Sequence, residues 1–324
     1  MKPTVIFLLF LKILYSNQPS STIPASTYSI VAYDPETGQL GVAVQSHWFS
    51  VGFLVPWAKA GVGAVATQSF VKVEYGPDGI NLMEEGFTAK EALKKLLLED
   101  KAKEVRQVSM IDTKGNVATH TGSKCIYAAG HFIGDNYSVQ ANMMEKESVW
   151  DAMSYAYENT KGDLADRLMA SLESAEKEGG DIRGKQSAAM LIVSGEPTGF
   201  SWKDIEMDLR VDDHPEPLNE LKRLIRISRA YHHANKGDYF LELNQINNAL
   251  EQYDLASSYY PENPELPYWS AVALVKTGRF NKAIPIFRNV FRKEPGLRIL
   301  IPRLVKAGLL PDDTDVITKI MNIK

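Results

Sequence analysis

From about residue 26 onward, short runs of β-branched and aromatic residues alternate with turn-forming residues. Thr27-Tyr28-Ser29-Ile30-Val31-Ala32-Tyr33 reads as a strand, Asp34-Pro35-Glu36-Thr37-Gly38 as a turn, and Leu40-Gly41-Val42-Ala43-Val44-Gln45 as the returning strand. A second pair is expected at Leu54 to Ala58 and Gly63 to Phe70. A third is expected at Val105 to Asp112 and Asn116 to His120, around Thr113-Lys114-Gly115. Helical spacing appears in between. Thr88-Ala89-Lys90-Glu91 is a capping box, followed by Leu93, Leu96 and Leu97 on one face. Ser148, with Asp151 three residues on, opens a helix carrying Val149, Trp150, Met153 and Tyr157. Leu164, Leu168, Leu172 and Ala175 stripe the next helix, which Gly179-Gly180 stops. Strands resume at Ser187 to Val193 and Ile205 to Val211. Hairpins and helices without regular βαβ alternation define an α+β class with mainly antiparallel pairing and exclude a dinucleotide-binding or barrel fold.

After Pro215 and Pro217 the pattern turns helical and repeats itself at 34 residues. Ala249, Tyr253, Ala256 and Pro261 return as Ala283, Phe287, Val290 and Pro295. This resembles the tetratricopeptide pattern, in which such positions pack one helix of a pair on the other. Gly237 and Ala271 fit the small position of the first helix. Gly278 fits the turn, where Asn244 stands in the earlier copy, and Trp269 lies two places off the usual aromatic position. Two repeats are too few for a free-standing solenoid, so Leu218 to Asn235 and Ile299 to Leu310 are expected to cap them. The expected organisation is a leader over 1–25, an α+β domain over 26–214, a helical domain over 215–310 and a tail over 311–324.

The leader rests on Lys2, the apolar run Val5 to Leu11, and Ile13-Leu14-Tyr15 after Lys12. This is shorter than the roughly 20 residues a membrane span needs, and Ile23-Pro24-Ala25 offers a small residue for cleavage. The expected product is secreted or periplasmic, with no stable membrane span after cleavage. Composition agrees: a single cysteine excludes a disulfide framework, as an oxidising compartment tolerates. Thirty-six basic against forty acidic residues leave no basic excess for nucleic acid.

Familiar catalytic signatures are missing: no G-x-S-x-G, P-loop, H-E-x-x-H or C-x-x-C occurs. Gly61-Val62-Gly63-Ala64-Val65-Ala66 matches G-x-G-x-x-A formally, but with no helix start after it the run reads as a strand. Cys125, with His120 and His131 nearby in sequence, is read as a buried cysteine, with a thiol nucleophile as the alternative. Asp212-Asp213-His214 is read as a solvated boundary, with metal ligation as the alternative. His232-His233 is read as surface. No metal and no cofactor are expected.

Thr27 changes the argument. Cleavage of the leader next to it would place a hydroxyl residue at the new N-terminus. A free α-amine has a pKa of about 7.7–8.0 and can take the proton from the hydroxyl of its own residue. One residue then supplies nucleophile and base. Ser29 lies two residues on, on the same strand face. Gln45, Ser46 and His47 end the second strand, and Thr67, Gln68 and Ser69 end another. Arg183, Gln186 and Ser187 offer donors for a carboxylate or an oxyanion.

Several segments together resemble one family. They are Ser26 to Ala32, Gly41 to His47, Val55 to Gln68, His120-Thr121-Gly122-Ser123, Gly180 to Ala189, and Asp208 to Pro215. The chain from 26 to about 220 is similar to the domain-of-unknown-function family 1028, assigned to the N-terminal-nucleophile (Ntn) hydrolase superfamily. The resemblance implies a four-layer αββα sandwich of two antiparallel sheets between helices. It also aligns Thr27 with the threonine that opens leaderless family members. This sequence departs in having residues before Thr27: cleavage after Ala25 exposes Ser26, and cleavage after Ser26 exposes Thr27.

The expectation is therefore an exported amidohydrolase cleaving an amide bond in a small or peptide-like substrate. Thr27 is its catalytic residue; Ser29, Gln45, Ser46, His47, Thr67, Gln68, Arg183, Gln186 and Ser187 are its substrate-binding candidates. The alternative is a non-catalytic binding or assembly protein whose helical repeats hold a protein partner. A homo-oligomer fits either.

Overall fold

The structure, a computed structural model, describes residues 27–323. The leader over 1–25, its cleavage points and Ser26 lie outside the described residues. The chain divides into two compact units, one ending at Lys222 and one beginning at Arg223.

Among the described residues, the first unit holds ten strands in two antiparallel sheets. β1 (Thr27–Tyr33) and β2 (Leu40–Ser46) form the expected hairpin; β3 (Pro56–Lys59) pairs with β4 (Gly63–Ser69), and β5 (Arg106–Asp112) with β6 (Val117–Thr121). β7 (Gly130–Gly134) and β8 (Tyr137–Asn142) make a further hairpin through Asn136, which turns at φ 64°. β9 (Ser187–Val193) and β10 (Ile205–Val211) complete the set. The six-stranded sheet runs β10-β9-β2-β1-β8-β7 and the four-stranded sheet β3-β4-β5-β6. β1 is thus central, paired on both edges and covered on both faces, which is why every one of its residues but Tyr33 is buried.

Packing follows from alternation along the strands. Val31, Leu40, Val42 and Val44 of one sheet meet Ala64, Ala66 and Ile111 of the other. On the outer face of the four-stranded sheet, Val65, Val108 and Met110 pack against α1 (Tyr75–Glu84) and α2 (Ala89–Glu99) through Tyr75, Ile80, Ala89 and Leu93. On the outer face of the six-stranded sheet lies α4 (Leu164–Lys177), beside α3 (Val149–Asn159). A Cβ at Gly41 would come within 2.7 Å of Leu168 Cδ1, so glycine lets α4 settle onto β2. Full burial of Leu168 stabilises the fold by about 2 kcal/mol.

The Thr88–Glu91 capping box forms as expected. Ser148 stands at the start of α3 as expected, but its hydroxyl donates to Glu178 across 2.8 Å and makes no cap bond; at the start of α4, Asp163 accepts from the Asp166 N–H. Helix α1 escapes a reading by pattern because Gly76, Pro77 and Gly79 sit in it. Pro77 falls in the first turn, where no intrahelical donor is needed, and Gly76 lies against the Trp57 indole. A one-turn helix α5 (Ser201–Asp204) precedes β10.

Helix α6 (Pro217–Glu242) contains the division between the units. The second unit continues with α7 (Ile246–Tyr259), α8 (Glu265–Lys276), α9 (Phe280–Lys293), α10 (Ile301–Lys306) and α11 (Thr314–Met321). α7 and α9 start 34 residues apart, at 246 and 280. Both bury the repeated positions: Ala249, Tyr253 and Ala256 in one, Ala283, Phe287 and Val290 in the other. Asn244 and Gly278 take the same left-handed turn, at φ 57° and 74°, which asparagine tolerates. Ile301, Leu304, Leu310, Ile320 and Ile323 join the core built by α8 and α9, so residues beyond 310 pack as well. Among the described residues no helix is long and apolar enough to cross a membrane.

Candidate functional site

Thr27 opens β1 at one end of the sheets, opposite Ser46 of β2 on one side and Asn142 of β8 on the other. Strand alternation turns Thr27, Ser29 and Ser46 toward the four-stranded sheet. There a fully buried polar cluster spans the interface. Thr27 Oγ1 donates to Ser46 Oγ (3.1 Å), and the Thr27 carbonyl accepts from Gln68 Nε2 (3.1 Å) and Asn142 Nδ2 (3.4 Å). Ser29 Oγ donates to Gln68 Oε1 at 2.6 Å and accepts from Gln140 Nε2 at 3.2 Å. Gln107 Oε1 accepts from both Gln68 (2.8 Å) and Asn142 (3.0 Å). Every one of these side chains is inaccessible to solvent. A buried amide left unpaired costs about 1–3 kcal/mol, so the mutual bonds fix which way each points.

The other sequence candidates separate into groups. Ser187 lies opposite Ser46, donates to the Trp48 carbonyl and accepts from the Val51 N–H at 3.1 Å. His47 and Arg183 share Asp181: the His47 N–H donates to it at 3.0 Å, and the Arg183 guanidinium binds it at 3.0 and 3.2 Å. Asp181 bridges Met144, two residues beyond Asn142, so this turn runs beside the end of β8. Gln186 donates to Asp213 at 3.1 Å on the rim, and its backbone N–H reaches the Ser46 carbonyl. Thr67 alternates away from Gln68 and bonds the Lys72 carbonyl. Gln45 also points away from Thr27. It shares the helix-side face with Tyr28, whose hydroxyl donates to Glu176 at 2.7 Å, and both Gln45 amide atoms are buried without a partner. Burial, then the Glu176 charge, pushes the Tyr28 pKa far up.

Sequence reasoning missed Gln107, Gln140, Asn142 and Asp181. A signal existed: Ser138, Gln140 and Asn142 alternate with Tyr137, Val139 and Ala141, as in a strand whose polar side faces something specific. Cys125 is half-buried and donates to the Arg106 carbonyl at 3.3 Å; burial pushes its thiol pKa up, away from nucleophilic use. His131 Nδ1 bonds Thr121 Oγ1 instead (2.8 Å), and His120 bonds the Lys103 carbonyl. His214 Nδ1 accepts from the Glu216 N–H, and Asp212 accepts from Ser50. Among the described residues no three His, Cys, Asp or Glu side chains are grouped to hold a metal ion.

Fold and cluster together define a mixed protein of two antiparallel sheets with a hydroxyl-and-amide cluster at the start of the central strand, followed by a helical region. The profile of DUF1028, a family of unknown function, matches residues 27–221, and the chain belongs to that family. It is similar to the crystal structure of protein SPO2555 from Silicibacter pomeroyi, itself described as DUF1028. The two share 29% identity at a TM-score of 0.56, over 62% of this chain and 85% of that one. No curated protein matches.

Proposed function

We propose that this protein is an exported Ntn-type amidohydrolase that uses Thr27 on a small or peptide-like amide. The observation carrying the reading is the Thr27–Ser46 hydroxyl pair at the start of β1, with the Thr27 carbonyl clamped by Gln68 and Asn142. The order of layers supports it too: two antiparallel sheets between helices is the sandwich expected of that superfamily. Cutting the peptide bond before Thr27 frees an amine on the residue that carries the hydroxyl. Thr27 Oγ1 then attacks the substrate carbonyl as its proton passes to the amine. The amine returns that proton to the leaving nitrogen as the C–N bond breaks. Water then gives a proton to the same amine as it attacks the Thr27 ester; the C–Oγ1 bond breaks, the acid leaves, and the amine passes that proton to Thr27 Oγ1. The leader read over 1–25 supplies the export, and the reading requires that the final cut fall after Ser26.

The test is covalent labelling of mature protein with a β-lactone, together with its intact mass. A chain starting at Thr27 that gains one adduct there supports the reading; a correctly processed chain that stays unlabelled overturns it. A second reading is a binding protein with a tetratricopeptide-like region. It is favoured by a cavity of about 380 Å³ in the helical unit, where Leu241, Tyr253, Trp269, Val272 and Leu309 make the wall mostly apolar. A mature chain that keeps residues before Thr27 supports that alternative.

A further inference from the structure

A cavity of about 630 Å³ opens at the Thr27 end of the first unit, between β6, β7 and the start of α3. Its volume falls in the range of small-molecule sites. Among the described residues, none of the nine that line it is Asp, Glu, Lys or Arg. The wall carries two aromatic side chains, Tyr127, which is 77% exposed, and Trp150, which is partly buried. Trp150 lies across Gly130: a Cβ there would come within 2.6 Å of the indole, so glycine lets the ring reach over β7. The polar wall is Thr121, Ser123, Cys125 and His131.

These groups are held uncharged. Burial, and next the neighbouring His120, lowers the His131 pKa; burial raises that of Cys125. Thr121 Oγ1 accepts from Gln107 Nε2 at 2.9 Å and meets His131 Nδ1 at 2.8 Å. A lining so arranged offers π-faces and hydrogen-bonding groups, and the Glu104 carboxylate at its edge is held by the Ser123 hydroxyl (2.7 Å) and N–H (3.2 Å).

The cavity is wired to the start of β1. Gln107 bonds Thr121 in the cavity wall and also Gln68, which holds the Thr27 carbonyl. Along the sheet, Gly130 of β7 pairs with Ala141 of β8, next to Asn142, the partner of Thr27. Two strand spacings separate the cavity rim from Thr27, roughly 10 Å.

We infer that this cavity binds an uncharged aromatic or heteroaromatic ring of the substrate, carried about 10 Å from the amide that Thr27 attacks. The inference rests on the amidohydrolase reading, and it narrows the substrate to amides with a neutral aryl terminus.

Benzamide is the probe, titrated into full-length protein by calorimetry beside benzoate, benzylammonium and cyclohexanecarboxamide. Benzamide is expected to bind, each comparison compound at least tenfold more weakly. Tyr127→Ala and Trp150→Ala should each weaken benzamide at least tenfold, whereas Thr27→Ala should leave it unchanged. Should Trp150→Ala fail to fold, Tyr127→Ala decides, because that exposed side chain carries no core packing. Equal binding by benzoate or the cyclohexane compound, or no effect of Tyr127→Ala, overturns the ring site. In the processed protein, a β-lactone with an aryl tip should label Thr27 at least tenfold faster than its methyl-capped counterpart, and Tyr127→Ala should erase the difference. Equal labelling rates overturn the substrate assignment while the amidohydrolase reading survives. Benzamide binding without any Thr27 labelling overturns the amidohydrolase reading and the substrate assignment with it, and leaves the ring site standing.

Discussion

The side-chain amide of Gln68, on the four-stranded sheet, donates to the main-chain carbonyl of Thr27, on the six-stranded sheet, across 3.1 Å. A buried inter-sheet bond of this kind makes the position of the first strand depend on the opposite sheet. Gln68→Ala should therefore destabilise the protein by about 2–4 kcal/mol, because Gln107 and Ser29 lose their partner along with Thr27. Urea denaturation checks this; a change under 1 kcal/mol would mean that water replaces the amide.

Thr27→Ala should cost far less, about 1 kcal/mol for loss of the Thr27–Ser46 hydroxyl bond. The same substitution should abolish β-lactone labelling. A precursor retaining Ser26 should also fail to label, since its Thr27 nitrogen is an amide. Thr27→Ser should keep part of the labelling and Cys125→Ala all of it. Mass spectrometry of the adducts reads each case, and loss of labelling in Cys125→Ala would transfer the chemistry to the thiol.

Alkaline stability should follow the buried tyrosines. Burial, then the Glu176 charge, raises Tyr28, and burial raises Tyr157 to about 12. Above about pH 10, unfolded tyrosine loses its proton while these two keep theirs, so the folded chain binds more protons and stability falls as pH rises. Their contribution is fully present below pH 10 and is lost as pH climbs through the folded values. Thermal melts from pH 8 to 12 should show a shallower decline in Tyr28→Phe. Identical slopes in both proteins would remove Tyr28 as a cause.

Much of the first unit was legible because hairpins announce themselves locally. Asp34 to Gly38 and Thr113 to Gly115 carry turn chemistry that needs no tertiary partner, and the Thr88 cap needs only its own first turn. The β7–β8 hairpin was not read, although Asn136 marks its turn, because Gly130 to Gly134 is half-exposed and carries no clean alternation. That omission hid Gln140 and Asn142. At the candidate site Thr27, Ser29, Ser46 and Gln68 were legible in the sequence, whereas Gln107, Gln140 and Asn142 were not. Whether Gln45 or Ser46 faces Thr27 depends on a register that only the folded ladder defines, and shifting by one residue exchanges them.

Truncation after Lys222 should leave a soluble protein that melts cooperatively, since the sheets and α1 to α4 contain their own buried clusters. In the full chain, Phe287→Ala should cost about 3–5 kcal/mol and lower one calorimetric transition while the other stays in place. A single transition that moves as a whole would show that the two units unfold together.

The pairing of Thr27 with β8 has a consequence in time. Its Asn142 partner lies 115 residues further along the chain. On the amidohydrolase reading, a leader cut during export would free the Thr27 amine long before β8 has emerged to close over it. The new terminus would begin as an ordinary solvated chain end, harmless to its surroundings, and would become a reactive centre only when the last contributing strand arrives. Synthesis order itself would then act as the safety catch.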